Sequence, residues 1–193
     1  MFVHGSLLWT TKNLQGLRSA FTEAPRIGPD AFLEKFSQQL SGQAPDVIHL
    51  AAEMLWVLFL FPRKLILPDR KREIITSVWN WSGLSLDPEH PLLSDSLLTG
   101  VGSAGTAFNT QRDRELEGLI DACLALKSRL RGEAPSPWEV ADAIDNEPRA
   151  TKRHIRNILL HLLFPEDFER VASINRKREI GTAFLHLLKE EER

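Results

Sequence analysis

Apolar positions recur at three- and four-residue spacing along most of this chain, and no run of strict apolar/polar alternation is long enough to build a sheet. The pattern predicts an all-α, multi-helix globular fold cut into segments by proline and glycine. A first helix is expected over residues 8–21, and a second after Asp30 as N-cap, ending near Gly42. Pro45 opens a central, strongly apolar helix. It stops at Phe61-Pro62, because proline has no amide to donate and disfavours helical geometry in the residue before it. Asp69 is expected to cap the next helix, which carries Ile74, Ile75, Val78 and Trp79 at helical spacing and ends near Gly83. Residues 84–106 are rich in proline, glycine and serine and read as a connecting loop with one short helical turn over 92–98. The expected organisation is an N-terminal helical subdomain over 1–83, this loop, and a C-terminal helical subdomain over 107–193 that shares its core.

In the second half a helix is predicted over 109–130, followed by Ser136 as N-cap and Pro137 at the first helical position of a short helix through Ile144. The next helix, over 149–164, places Ile155, Ile158, Leu159, Leu162 and Leu163 on one apolar stripe, with Arg153 and Arg156 on the far side. A turn over 166–172 leads to a last helix over 176–190. Trp56, Trp79 and Trp138 fall on apolar helical faces and are expected in the core, with Trp9 and Trp81 nearer helix ends.

One plan occurs twice. Leu58-Phe-Leu-Phe-Pro62 leads to Asp69-Arg-Lys-Arg-Glu-Ile74, and Leu162-Leu-Phe-Pro165 leads to Asn175-Arg-Lys-Arg-Glu-Ile180. Each half thus reads as apolar helix, Phe-Pro stop, loop and capped basic helix, a plan that recurrent stop and cap signals can also produce by chance.

Composition adds a packed core and little else. Of 193 residues, 42% are hydrophobic and 26% charged, which argues against extended disorder. A formal charge of −2 gives no overall basic bias, so any nucleic-acid contact has to come from local patches. Cys123 is the only cysteine, which leaves no disulfide framework and no thiolate metal site. The start of the chain lacks the pattern of a signal peptide, and the most apolar segment, residues 47–61, contains His49 and Glu53 and falls short of the roughly 20 residues of a membrane span. A cytoplasmic protein without a membrane partner is expected.

Catalytic patterns are incomplete. Gly100-Val-Gly-Ser-Ala-Gly105 matches the GxGxxG string, but no strand feeds it, so it reads as a turned loop rather than a dinucleotide site. There is no GxxxxGK[ST] phosphate loop. The histidines, His154 and His161 among them, form no HExxH or comparable ligand set, and a pair bordering the core is the expectation. Neither a nucleophile with its base nor a PD-(D/E)xK arrangement is present. No enzyme, cofactor or metal is expected.

The chemistry that remains is basic. With Asp69 and Asn175 as N-caps, Arg70, Lys71, Arg72 and Arg176, Lys177, Arg178 would occupy first helical turns, where the helix dipole disfavours cations by about 0.3–1 kcal/mol each. Free backbone amides in those turns would make a phosphate clamp, extended by Arg153 and Arg156, that binds DNA weakly and without sequence preference. The competing reading has the same side chains reaching into water or pairing with acids such as Glu73 and Glu179.

Taken in order, Leu50-Ala-Ala-Glu-Met-Leu-Trp-Val-Leu-Phe-Leu-Phe-Pro62, Trp79-Asn-Trp-Ser-Gly83, His90-Pro-Leu-Leu-Ser94, the glycine string and His154-Ile-Arg-Asn-Ile-Leu-Leu-His-Leu-Leu-Phe-Pro165 resemble the helical region preceding the motor in bacterial McrB-like AAA+ ATPases of restriction and defence systems. The resemblance implies an AAA+ motor domain or subunit as partner, and with it a nuclease subunit. The chain reaches Lys189-Glu-Glu-Glu-Arg193 without a Walker A segment, so motor activity is not expected from it. Two function classes follow: a non-catalytic recognition or adaptor module touching DNA or a partner subunit, and a purely structural protein-interaction domain.

Overall fold

The computed structural model describes residues 1–2, 7–25, 31–129 and 135–187. Among these the fold is all-α, and the extended pairing is confined to an isolated parallel bridge between Pro62 and Gly102. Helix α1, Thr11–Leu17, begins where the Thr10 hydroxyl accepts the Asn13 amide, and widens into a π-helical turn over Arg18–Thr22. Helix α2, Phe32–Leu40, is entered from Ala31; the expected cap at Asp30 lies outside the described residues.

Helix α3, Pro45–Phe59, is the centre of the molecule. Pro45 takes the first helical position, where its missing amide costs nothing, and all but a few of the helix's residues are buried. Burial on every side explains why it reads as continuously apolar rather than striped. Its one buried carboxylate, Glu53, is fully satisfied: it accepts the Phe2 amide at 3.0 Å and the Trp9 indole N–H at 2.5 Å, pinning the start of the chain. Helix α4, Pro68–Asn80, folds back along α3 and buries Ile74, Ile75, Val78 and Trp79. Its N-cap is Leu67, not Asp69, because Pro68 occupies the first helical position and moves Asp69 inside the first turn.

The 84–106 segment holds two short turns, Pro91–Leu93 and α5, Asp95–Leu98, and packs into the core through Leu86, Leu93, Leu98 and Ala104. The helix expected over 109–130 is α7, Arg112–Arg129, preceded by a short helix α6, Gly105–Thr110, at the end of the expected loop, with Gln111 non-helical between them. Helix α8, Pro137–Asp145, starts as expected, with the Ser136 hydroxyl accepting the Glu139 amide and the Glu139 carboxylate accepting the Ser136 amide. The predicted 149–164 helix is also two: α9, Pro148–Thr151, and α10, His154–Leu163. The break has a clear cause. Buried Glu115 of α7 accepts the His154 amide at 3.3 Å and the Ile155 amide at 2.8 Å, giving α10 an N-terminus of its own.

Helix α11, Ile174–Phe184, continues as a tight turn over Leu185–Leu187 and buries no residue. Ser173 caps it by accepting the Arg176 amide, so the expected cap at Asn175 is displaced as Asp69 is. Everything before it shares one hydrophobic cluster, from Leu14 and Leu17 of α1 through α3 and α4 to Leu119 of α7 and Ile158 of α10. Trp56 and Trp79 belong to that cluster, whereas Trp138 is 65% exposed, because only the Val140, Ala141 and Ile144 face of α8 turns inward.

Candidate nucleic-acid interface

The two basic helix starts have different fates. In α4, Lys71 is completely buried. Its ammonium donates to the carbonyl oxygens of Phe59 at 2.8 Å, Pro62 at 2.6 Å and Leu98 at 2.6 Å, one for each of its N–H groups. Burial pushes its pKa down to about 8. Arg72 is held by Asp69 and Asp95 and donates from Nε to the Leu93 carbonyl at 3.2 Å, while Arg70 pairs with Glu73 at 2.5 Å. The hydrogen bonds with Asp69 and Asp95 raise the Arg72 pKa. Lys71 and Arg72 therefore tie α4 to its surroundings, Arg70 is paired within the helix, and the three do not converge on an anion site.

In the second half the basic residues do converge. An open cleft of about 680 Å³ lies where the end of α8, the α9–α10 junction and the first turns of α11 meet. Lys152, Arg156, Lys177 and Arg178 line it together with Asp145, Asn157 and Asn175. Arg156 is fixed by a two-pronged bond to Asp145, at 2.8 and 2.7 Å, and by a third donation to Asn157 at 2.9 Å. That pair lowers the Asp145 pKa and raises the Arg156 pKa. Lys177 meets Glu169 at 2.8 Å from the side. Lys152 and Arg178 are exposed and make no ion pair among the described residues. The cleft thus presents two anchored and two uncommitted cations, with two carboxylates, Asp145 and Glu169, set against them.

Of the remaining expected residues, Arg176 pairs with Glu179 at 2.9 Å, and Arg153 stands before α10 with a 3.4 Å contact to Gln111. Neither lines the cleft. Lys152 was not anticipated from sequence; its signal was its place one residue before Arg153, on a segment expected to be continuous helix. His154 and His161 make separate structural contacts, His154 with Glu115 at 3.2 Å and His161 with the Phe168 carbonyl at 2.8 Å. Among the described residues no group of three His, Cys, Asp or Glu side chains could hold a metal ion, and no helix is long and apolar enough to cross a membrane.

The glycine string has a packing explanation. Gly100 has φ +80°, and a Cβ there would lie 2.4 Å from the Pro62 carbonyl oxygen; one on Gly102 would lie 2.6 Å from the Phe61 ring. The two amides of Val101 and Gly102 donate to the Phe61 carbonyl at 3.0 and 2.9 Å, and Arg63 returns a bond to the Gly102 carbonyl at 2.8 Å. These amides face the end of α3 and not a phosphate. Compared with known proteins, the chain matches no family model, no curated protein and no solved structure.

Proposed function

We propose that the chain is a non-catalytic recognition module whose α9–α10–α11 cleft docks on the phosphate backbone of DNA, working beside an AAA+ motor and a nuclease in a restriction-type system. The motor and nuclease come from the sequence resemblance alone. The single observation that carries the DNA contact is the convergence of Lys152, Arg156, Lys177 and Arg178 in one open cleft, two of them without a competing acid. Such a site reads charge and spacing, and Arg156 spends its bidentate fork on Asp145 and not on a base edge.

Titration of labelled duplex DNA with the full chain over a range of salt tests this. The Lys152→Ala/Arg178→Ala double variant is expected to bind all sequences more weakly and to reduce the salt slope by about 1–2, one unit per lost phosphate contact. An unchanged double variant, or a parent that does not bind at low salt, overturns the proposal. A second reading, a protein-interaction domain, draws on a different observation: the exposed apolar side of α11.

A further inference from the structure

We infer that α11 is an arm that docks in a second copy of this chain, on the aromatic patch at the end of that copy's α10. The internal repeat carries the first step. Aligning Arg70-Lys-Arg-Glu-Ile74 with Arg176-Lys-Arg-Glu-Ile180 places Ile180 on Ile74, Phe184 on Val78 and Leu185 on Trp79. The three α4 residues are buried at 2%, 0% and 2% exposure against α3, the helix that ends in Phe61-Pro62. Their α11 counterparts are exposed by 38%, 58% and 50%. The same i,i+3 pair marks both helices, Arg70 with Glu73 and Arg176 with Glu179. Helix α11 therefore carries the side that its counterpart seats on a Phe-Pro-terminated apolar helix, and among the described residues nothing buries it.

The second step identifies the seat. Helix α10 is the other helix that ends in Phe-Pro, and its end is open. Leu163 is 52% exposed and Trp138 65%, and Trp138 lies edge-on to the buried Phe168 with ring centroids 5.1 Å apart, beside the half-buried Phe164, so Trp138 and Leu163 are the open part of an otherwise covered aromatic cluster. The exposed acids Glu139, Glu166 and Asp167 neighbour these residues in sequence, whereas the arm starts with Arg176, Lys177 and Arg178, of which Arg176 pairs with Glu179, Lys177 with Glu169, and Arg178 makes no ion pair among the described residues. Apolar centres flanked by opposite charges are complementary, and two copies exchanging arms bury two such contacts around a twofold axis. Lys177 and Arg178 also line the cleft, but the apolar contacts Ile180, Phe184, Trp138 and Leu163 do not, so changing those four leaves the cleft's own residues in place.

Sedimentation equilibrium of the full chain tests the inference. The parent is expected to dimerise. Ile180→Glu/Phe184→Glu and, separately, Trp138→Glu/Leu163→Glu should each weaken the dimer by roughly thirtyfold or more while keeping the parent's helical circular dichroism. Mixing the two variants should restore a heterodimer of intermediate affinity, since one of the two exchanged contacts then survives intact. A parent that stays monomeric at its highest soluble concentration overturns the inference and leaves the arm to a different protein. Loss of the dimer on changing the arm but not the patch overturns the proposed seat, and a dimer indifferent to both variants overturns the whole.

Discussion

Lys71 does by hydrogen bonding what no apolar residue of its size could do. Three carbonyls that helix end and loop leave without partners, those of Phe59, Pro62 and Leu98, converge on one ammonium with three donors. Two effects compete when it is replaced by methionine. Removing a buried cation relieves its desolvation, but three buried carbonyls lose their donor, at a cost of about 1–3 kcal/mol each before relaxation. The second effect is larger, so Lys71→Met should lower the urea-unfolding free energy by about 1–3 kcal/mol. It should also leave DNA affinity unchanged, because no ligand reaches a residue with no exposed surface. Stability equal to the parent's would mean that the carbonyls find water instead.

At the scale of the element, the end of α3 shows how the loop that follows is held. Two amides from the Gly100 region, the Lys71 ammonium and the Arg63 amide form a small lattice around Phe61-Pro62. Gly100 is indispensable to it: a side chain there meets both a left-handed φ and a carbonyl at 2.4 Å, so Gly100→Ala should cost about 1–3 kcal/mol, read as a lower melting temperature. This is also where sequence and structure part. Helix existence was legible, since Pro45, Phe61-Pro62 and Ser136-Pro137 are local signals acting on their own neighbours. The caps at Leu67 and Ser173 were obscured by more attractive residues two positions on, Asp69 and Asn175. The break before α10 was illegible, because its cause, Glu115, lies some forty residues away along the chain. The candidate site divided for the same reason: identical Arg-Lys-Arg strings are bound up with the α3 end and the following loop in α4 and border an open cleft in α11, and only tertiary packing tells them apart.

Across the whole molecule, the segment between the two expected subdomains is tied to the first of them, and the two halves also meet each other directly. Trp56 of α3 donates to the Leu92 carbonyl at 2.6 Å, and Asp121 of α7 meets Arg149 of α9 at 3.2 Å and Arg18 of the first helix at 3.5 Å. Helices α1 and α3 both pack on α7. With so many contacts crossing the midpoint, calorimetry should give one transition whose measured and van't Hoff enthalpies agree; two resolved transitions would restore the division at 84–106. Helix α11 stands outside this unit, since none of its residues is buried. Unfolding of a single protomer is consequently insensitive to it. Selection can rewrite the outer positions of α11 one by one, changing which surface it seeks, without drawing on the stability that keeps the helices before it together.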